Sequence, residues 1–288
     1  MQNKNGKMIF LFLLPVLVLF IAFFIYPLSY VIITSFSKWN GFTSPEFIGL
    51  GNYKYLFNDE NFRLSLRNNI VWAVVLGFVQ VPMACVMAMI LARRPKGWKV
   101  LRTAYFLPNV ISQVALAMMW TAIYNAENGV LNALLTFVGL GHLSNNWLGN
   151  MDTAFAAVIF QQVFYIGYFM IVILASRLSI PDSYYEAAEL DGANILQQEF
   201  NVTIPMLKPI LVTTITLALA YGMRHFESTF LMTGGGPAHT TSVMGIMLYT
   251  DMQALRYGEG NAIGAALVIF GGATIGVIRY FMTKNKDN

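Results

Sequence analysis

The sequence predicts an all-α integral membrane protein whose six transmembrane helices are joined, between the fourth and the fifth, by a cytoplasmic helix-turn-helix segment. Three observations carry that expectation. The 288 residues are 57% hydrophobic and only 11% charged, about half the charged fraction of an ordinary soluble domain. Apolar stretches recur that are long enough to cross a hydrocarbon core of roughly 30 Å at a helical rise of about 1.5 Å per residue. The basic residues behind the net charge of +4 gather in short segments beside those stretches, a pattern that orients a membrane protein rather than one that binds nucleic acid.

The first span is expected at residues 8–36. Lys4 and Lys7 precede it and give it the outline of a secretion signal, but the apolar run continues through Tyr26, Pro27 and Leu28 without a small-residue cleavage site, so it should remain as an anchor. The other spans are expected at 68–92, 103–124, 153–176, 207–232 and 261–281. Between the second and third lie Arg93, Arg94, Lys96, Lys99 and Arg102, which places that loop in the cytoplasm. Both termini then face the cytoplasm, one with Lys4 and Lys7 and the other with Arg279, Lys284 and Lys286. The outward segments, 37–67, 125–152 and 233–260, are rich in turn formers and too short for separate domains. Cys85 is the only cysteine and sits in an apolar run, where it packs and can form no disulfide within the chain. No internal repeat is visible, which argues against an inverted-repeat carrier.

Residues 177–205 are too polar to cross lipid. Pro181 closes the preceding helix, and Ser183 followed three positions later by Glu186 has the spacing of a capping box. A short helix over 184–190 is therefore expected. Gly192 can take the positive φ that ends it, and 193–200 can form a second short helix before Thr203, Ile204 and Pro205 return the chain to the membrane. Ala187 and Ala188 permit close approach of another protein, while Glu186 and Asp191 offer charge to an Arg or Lys. A solvated connector is the plainer reading of the same residues.

Glu186, Ala187 and Ala188, then Asp191, Gly192 and Ala193, then Pro205 resemble the EAA loop of ABC importer permeases, with the Gly192 to Pro205 spacing kept without insertion or deletion. Gly49, Leu50, Asn52 and Tyr53, the run Phe106, Leu107 and Pro108 opening the third span, and Thr233 to Pro237 are similar to the carbohydrate-importer branch, the last run to its maltose-type permease. Three departures stand out. Leu196 occupies a position where Trp is common, and the phenylalanine expected near Glu199 arrives one residue later as Phe200. The usual Ala-Gly-Leu-Gln before the loop reads Ala175, Ser176, Arg177 and Leu178.

The resemblance implies a single permease domain over 1–288 with the coupling loop at 177–205, in a bacterial cell membrane. It implies that the loop inserts into a cleft on a cytoplasmic ATPase. A second homologous permease, two cytoplasmic ATP-binding subunits, an extracytoplasmic solute-binding protein and membrane lipid are the implied partners, and a sugar or oligosaccharide the substrate, moved by alternating access. No G-x-x-x-x-G-K-[ST] run is present, since the Gly6 and Lys7 pair is followed by Met8; the chain is expected to be no enzyme itself and to need no cofactor.

Polar groups in a bilayer interior cost free energy unless they face protein or a water-filled path. On the third span Asn109 and Gln113, four apart, are expected to share a helix face; on the fourth, Gln161, Tyr165 and Tyr168 follow i, i+4, i+7; on the fifth, Tyr221 and His225 are four apart. Amide, phenol and imidazole groups suit an uncharged sugar, with its many hydroxyls and its C–H faces. Interhelical hydrogen bonding is the alternative for each of them. Arg224 and Glu227 either neutralise one another or gate the outer mouth. With three His and no carboxylate cluster, a metal site is not expected. An ion-coupled carrier would need a charged relay, which only Arg224, His225 and Glu227 approach; no constellation supports a membrane enzyme. A non-sugar polar solute is the nearer alternative.

Overall fold

The computed structural model describes residues 2–284, with side chains from 8 to 280. The orienting residues Lys4, Lys7, Lys284 and Lys286 therefore lie outside the described side chains. Among the described residues, Met8–Thr34, Glu60–Ala92, Ala154–Arg177, Ile195–Thr233 and Tyr257–Tyr280 are long and apolar enough to cross a membrane. The pair Trp98–Asn109 and Gln113–Ile123, bent by 99°, supplies the sixth span. The all-α, six-span architecture is as expected.

The boundaries and the straightness of the spans are not. The second begins at Glu60 and the fifth at Ile195, upstream of 68 and 207, because polar flanks continue the helix and hydropathy marks only the apolar part. The third is broken, with Phe106, Leu107 and Pro108 closing its first half. Pro108 lacks an N–H and crowds the preceding turn, so the helix ends there in a 3₁₀ turn, Leu107–Asn109, before restarting.

The helices fall into two compact units, Met1–Phe62 with Met247–Ile269, and Arg63–Ile246 with Phe270–Asn288. In the first unit, Met8–Thr34 is unburied over its apolar window, whose mean hydropathy is 3.2, as befits a helix solvated by lipid tails. Beyond it, Ser37–Lys38 pairs antiparallel with Glu46–Phe47. Asn52 holds that turn, donating to the carbonyls of Ser35 and Ser37 at 2.9 Å each. Asn261 donates to the Thr34 hydroxyl at 2.7 Å.

In the second unit, Ala84, Ala88 and Leu91 of the second span pack with Met170, Ile173 and Leu174 of the fourth; small residues let the backbones close in. The second and fifth spans approach more tightly still. A Cβ at Gly222 would stand 2.4 Å from the Ala73 Cα, so only glycine fits. The fourth span is interrupted at 164–166 and the fifth at 224–226. Each break strands carbonyls in apolar surroundings, where an unpaired one is costly. Amides of the second span meet that demand: Gln80 donates to the Gln162 carbonyl at 2.8 Å, and Asn69 to that of Met223 at 2.9 Å.

Candidate functional site

The segment 177–205 is a helix, a tight turn and a second helix, much as its residues suggested, but its capping differs. The first helix is Ser183–Leu190, and Asp182 occupies its N-cap with no side-chain cap bond. Ser183 therefore lies inside the first turn and forms no capping box with Glu186. The capping box is made instead by Asn194 and Gln197: the Asn194 side chain accepts from the Gln197 N–H at 3.0 Å, and the Gln197 side chain from the Asn194 N–H at 2.8 Å.

Gly192 takes φ +79°. Its N–H reaches the Glu189 carbonyl at 3.0 Å and the Ala193 N–H reaches that of Ala188 at 2.9 Å, the paired bonds of a Schellman stop. The second helix is not a separate element ending near residue 200. It passes from Ile195 through a π-helical turn, Glu199–Thr203, straight into the fifth span. The wider turn takes up Pro205 without ending the helix. Glu186, Ala187, Asp191 and Gly192 are exposed and Ala188 half-buried, so the outer face of Ser183–Leu190 is uncovered.

The polar groups of the spans are distributed less simply than helical spacing implied. Asn109 and Gln113 do not share a face, because the bend falls between them. Asn109 is exposed, and its amide lies 2.6 Å from where a Cβ at Gly167 would stand, which brings the third span against the break in the fourth. Gln113 is half-buried. The i, i+4, i+7 run is cut by the same break. Gln161 and Tyr165 are buried, at 1% and 8% exposure, whereas Tyr168 is 52% exposed. Trp120 donates its indole N–H to the Tyr165 hydroxyl. Among the described residues Gln161 has neither amide atom hydrogen-bonded, an unmet demand that a buried side chain rarely carries.

His225 sits within the break of the fifth span. It is buried, stacks on Trp72 with ring centroids 3.9 Å apart, and shares a 2.6 Å hydrogen bond between Nε2 and the Ser228 hydroxyl. Tyr221 meets it edge-on at 5.6 Å. Arg224 and Glu227 are both exposed, and no ion pair joins them among the described residues; the Arg224 guanidinium lies 6.0 Å over the Tyr221 ring instead. A cavity of about 400 Å³ opens beside the fourth-span break, lined by Pro82, Met83, Val86, Met87, Tyr105 and Phe164, with Ile166 at its edge.

Sequence reasoning missed Asn68, Asn69 and Gln80 on the second span, although the rule that marked Gln161 applies to them equally.

The family model for binding-protein-dependent transport system inner membrane components matches residues 80–285. A probable ABC transporter permease, YurN of Bacillus subtilis, is 39% identical over 275 residues, 93% of this chain and 94% of that protein. A probable starch degradation products transport system permease, AmyD of Thermoanaerobacterium thermosulfurigenes, is 30% identical over 288 residues, 99% of this chain and 96% of that one. Among solved structures, a bacterial ABC transporter involved in importing the acidic polysaccharide alginate superposes with a TM-score of 0.83 at 24% identity, over 99% of this chain and 98% of that one; it shares the fold.

Proposed function

This multi-pass membrane chain belongs to the family of binding-protein-dependent transport system inner membrane components, and from that membership we propose that it is one permease subunit of an ABC importer that carries a sugar or oligosaccharide into the cytoplasm by alternating access. ATP is hydrolysed on two separate cytoplasmic subunits. A second, similar permease completes the pathway, an extracytoplasmic binding protein delivers the solute, and both termini of this chain face the cytoplasm. Residues 1–288 act as one permease domain.

The observation that carries this reading is the exposed helix Ser183–Leu190, closed by the left-handed Gly192 and joined through a short hydrogen-bonded turn, capped by Asn194, to the helix that continues into the fifth span. A stiff connection of this kind converts displacement of a docked ATPase into motion of the span, which a slack loop would dissipate. Glu186, Ala187, Ala188, Asp191 and Gly192 form the docking face. The relative that handles starch degradation products supports a carbohydrate substrate. On the solute path we place Asn109, Gln113, Gln161, Tyr165, Tyr168, Tyr221 and His225, with Arg224 and Glu227 at the outer mouth. Gln161 is the strongest of these, because its amide keeps a full set of unused donors and acceptors.

Reconstitution tests the whole assignment. Vesicles holding the chain with its permease partner, ATPase subunits and binding protein should take up sugar only when ATP is supplied on the ATPase side. Uphill uptake by the chain alone would overturn the reading.

A further inference from the structure

At the root of the coupling segment lies a buried cluster that the docking face does not explain. Glu199 is the first residue of the π-helical turn, and its side chain is 8% exposed. Arg93, at the end of the second span, donates twice to its Oε1, from Nε at 2.9 Å and from Nη2 at 2.6 Å. Arg177, at the end of the fourth span, has its Nε 3.9 Å from Oε2 of the same carboxylate, beyond hydrogen-bond reach. Neither that Nε nor that Oε2 is hydrogen-bonded to any described residue.

The remaining interactions lead outward into the docking helix. The Arg177 guanidinium lies 4.1 Å over the ring of Tyr185, whose hydroxyl shares a 2.9 Å hydrogen bond with Thr203. Gln198 bridges Arg93 at 3.3 Å to Glu189 at 3.4 Å. One buried carboxylate thus faces two guanidinia, that of the exposed Arg93 engaged and that of the buried Arg177 within a short shift of engagement.

We propose that Glu199 is a positioning residue that ties the coupling helix to the ends of the second and fourth spans, its carboxylate moving from Arg93 toward Arg177 as the helix is displaced. A carboxylate this enclosed cannot stay unpaired, so the junction favours discrete positions over a continuum. The device rests on the permease reading and acts without touching solute or nucleotide.

The test is solute moved per ATP hydrolysed by the complete reconstituted complex. Glu199→Gln keeps the shape of the side chain and removes its charge; it should leave co-purification of the ATPase intact and lower transport per ATP by roughly tenfold, within the usual range of coupling between sites. Arg177→Gln, which leaves the Arg93 bonds in place and removes the second position, should lower the ratio similarly with the ATPase still bound, and Glu199→Asp should retain part of the ratio. A wild-type ratio in Glu199→Gln overturns the proposal, as does a wild-type ratio in Arg177→Gln. Loss of the ATPase from Glu199→Gln would assign the residue to the fold and equally overturn it. Absence of ATP-driven uptake in the wild-type complex would instead sink the permease reading.

Discussion

Asn69 donates its side-chain amide to the carbonyl of Met223 at 2.9 Å, supplying the partner that the broken fifth span can no longer provide. The same side chain accepts the backbone N–H of Met244 at 2.8 Å, so one residue serves both the edge of the break and the start of the helix Met244–Gln253. Asn69→Leu keeps the volume and leaves both backbone groups unpaired and buried. It should lower stability by about 1–3 kcal/mol. Thermal unfolding of the purified protein in detergent measures this, and an unchanged midpoint for Asn69→Leu would refute the account of the break.

Gln161 separates structural from functional polarity. Its amide is buried and unpartnered, so replacing it with Leu should leave stability unchanged or raise it by up to about 1 kcal/mol. If the solute path opens onto this residue, transport should nevertheless fall by roughly tenfold in kcat/KM, the worth of one missing hydrogen bond of about 1.4 kcal/mol. Wild-type uptake in Gln161→Leu would remove it from the path.

Tyr168 and His225 should divide in the opposite way. Tyr168 is half-exposed, whereas His225 is enclosed between Trp72 and Ser228. Tyr168→Ala should reduce sugar uptake with no change in unfolding temperature. His225→Ala should reduce uptake and also cost about 2–4 kcal/mol of stability, from the missing ring packing and the stranded hydroxyl. Normal uptake kinetics in both variants would dissolve the proposed aromatic lining.

What the residues disclosed in advance and what they withheld follow from the range of the interactions involved. The spans and the basic loop after the second were legible because hydropathy and charge accumulate over many neighbouring residues. Gly192 was legible because a left-handed stop is a local demand. The breaks at 164–166 and 224–226 were not, since they depend on Gln80 and Asn69, which lie 82 and 154 positions from the carbonyls they satisfy. The capping box was misplaced for another reason. Ser183 with Glu186 and Asn194 with Gln197 both have the right spacing, and only the extended backbone of Asn194, at ψ 171°, decides between them. The Arg93 and Glu199 pair, 106 residues apart, has no local signature at all.

Asp251 gives the stability of the protein a pH dependence. Burial pushes its carboxyl above the usual range, against the opposing pull of Arg256, while Asp59 adds to the rise and Glu259 faces the same arginine. The folded state therefore holds this proton more tightly than the unfolded chain, whose carboxyl titrates near pH 3.9. The contribution is complete below about pH 4 and is lost as pH rises through the folded value. Asp251→Asn cannot titrate, so the unfolding temperature of the wild type relative to that variant should fall from pH 4 toward neutrality. A constant difference would show that Asp251 is not held in this environment.

The coupling turn makes the most direct prediction. At φ +79° Gly192 occupies a region that a side chain enters at a cost of about 1–2 kcal/mol, yet a Cβ there would meet nothing within 4 Å. Gly192→Ala should thus weaken association of the ATPase only modestly. Gly192→Pro demands φ near −65°; it should undo the turn, leave the chain in the membrane and abolish co-purification. Glu186→Lys reverses a charge on the exposed face without touching the backbone and should also abolish it, because a basic group on the ATPase would then be repelled where it had been attracted. If the proline and lysine variants retained the ATPase, the turn and its charge would be irrelevant to docking, and the exposed helix would have to be assigned another role.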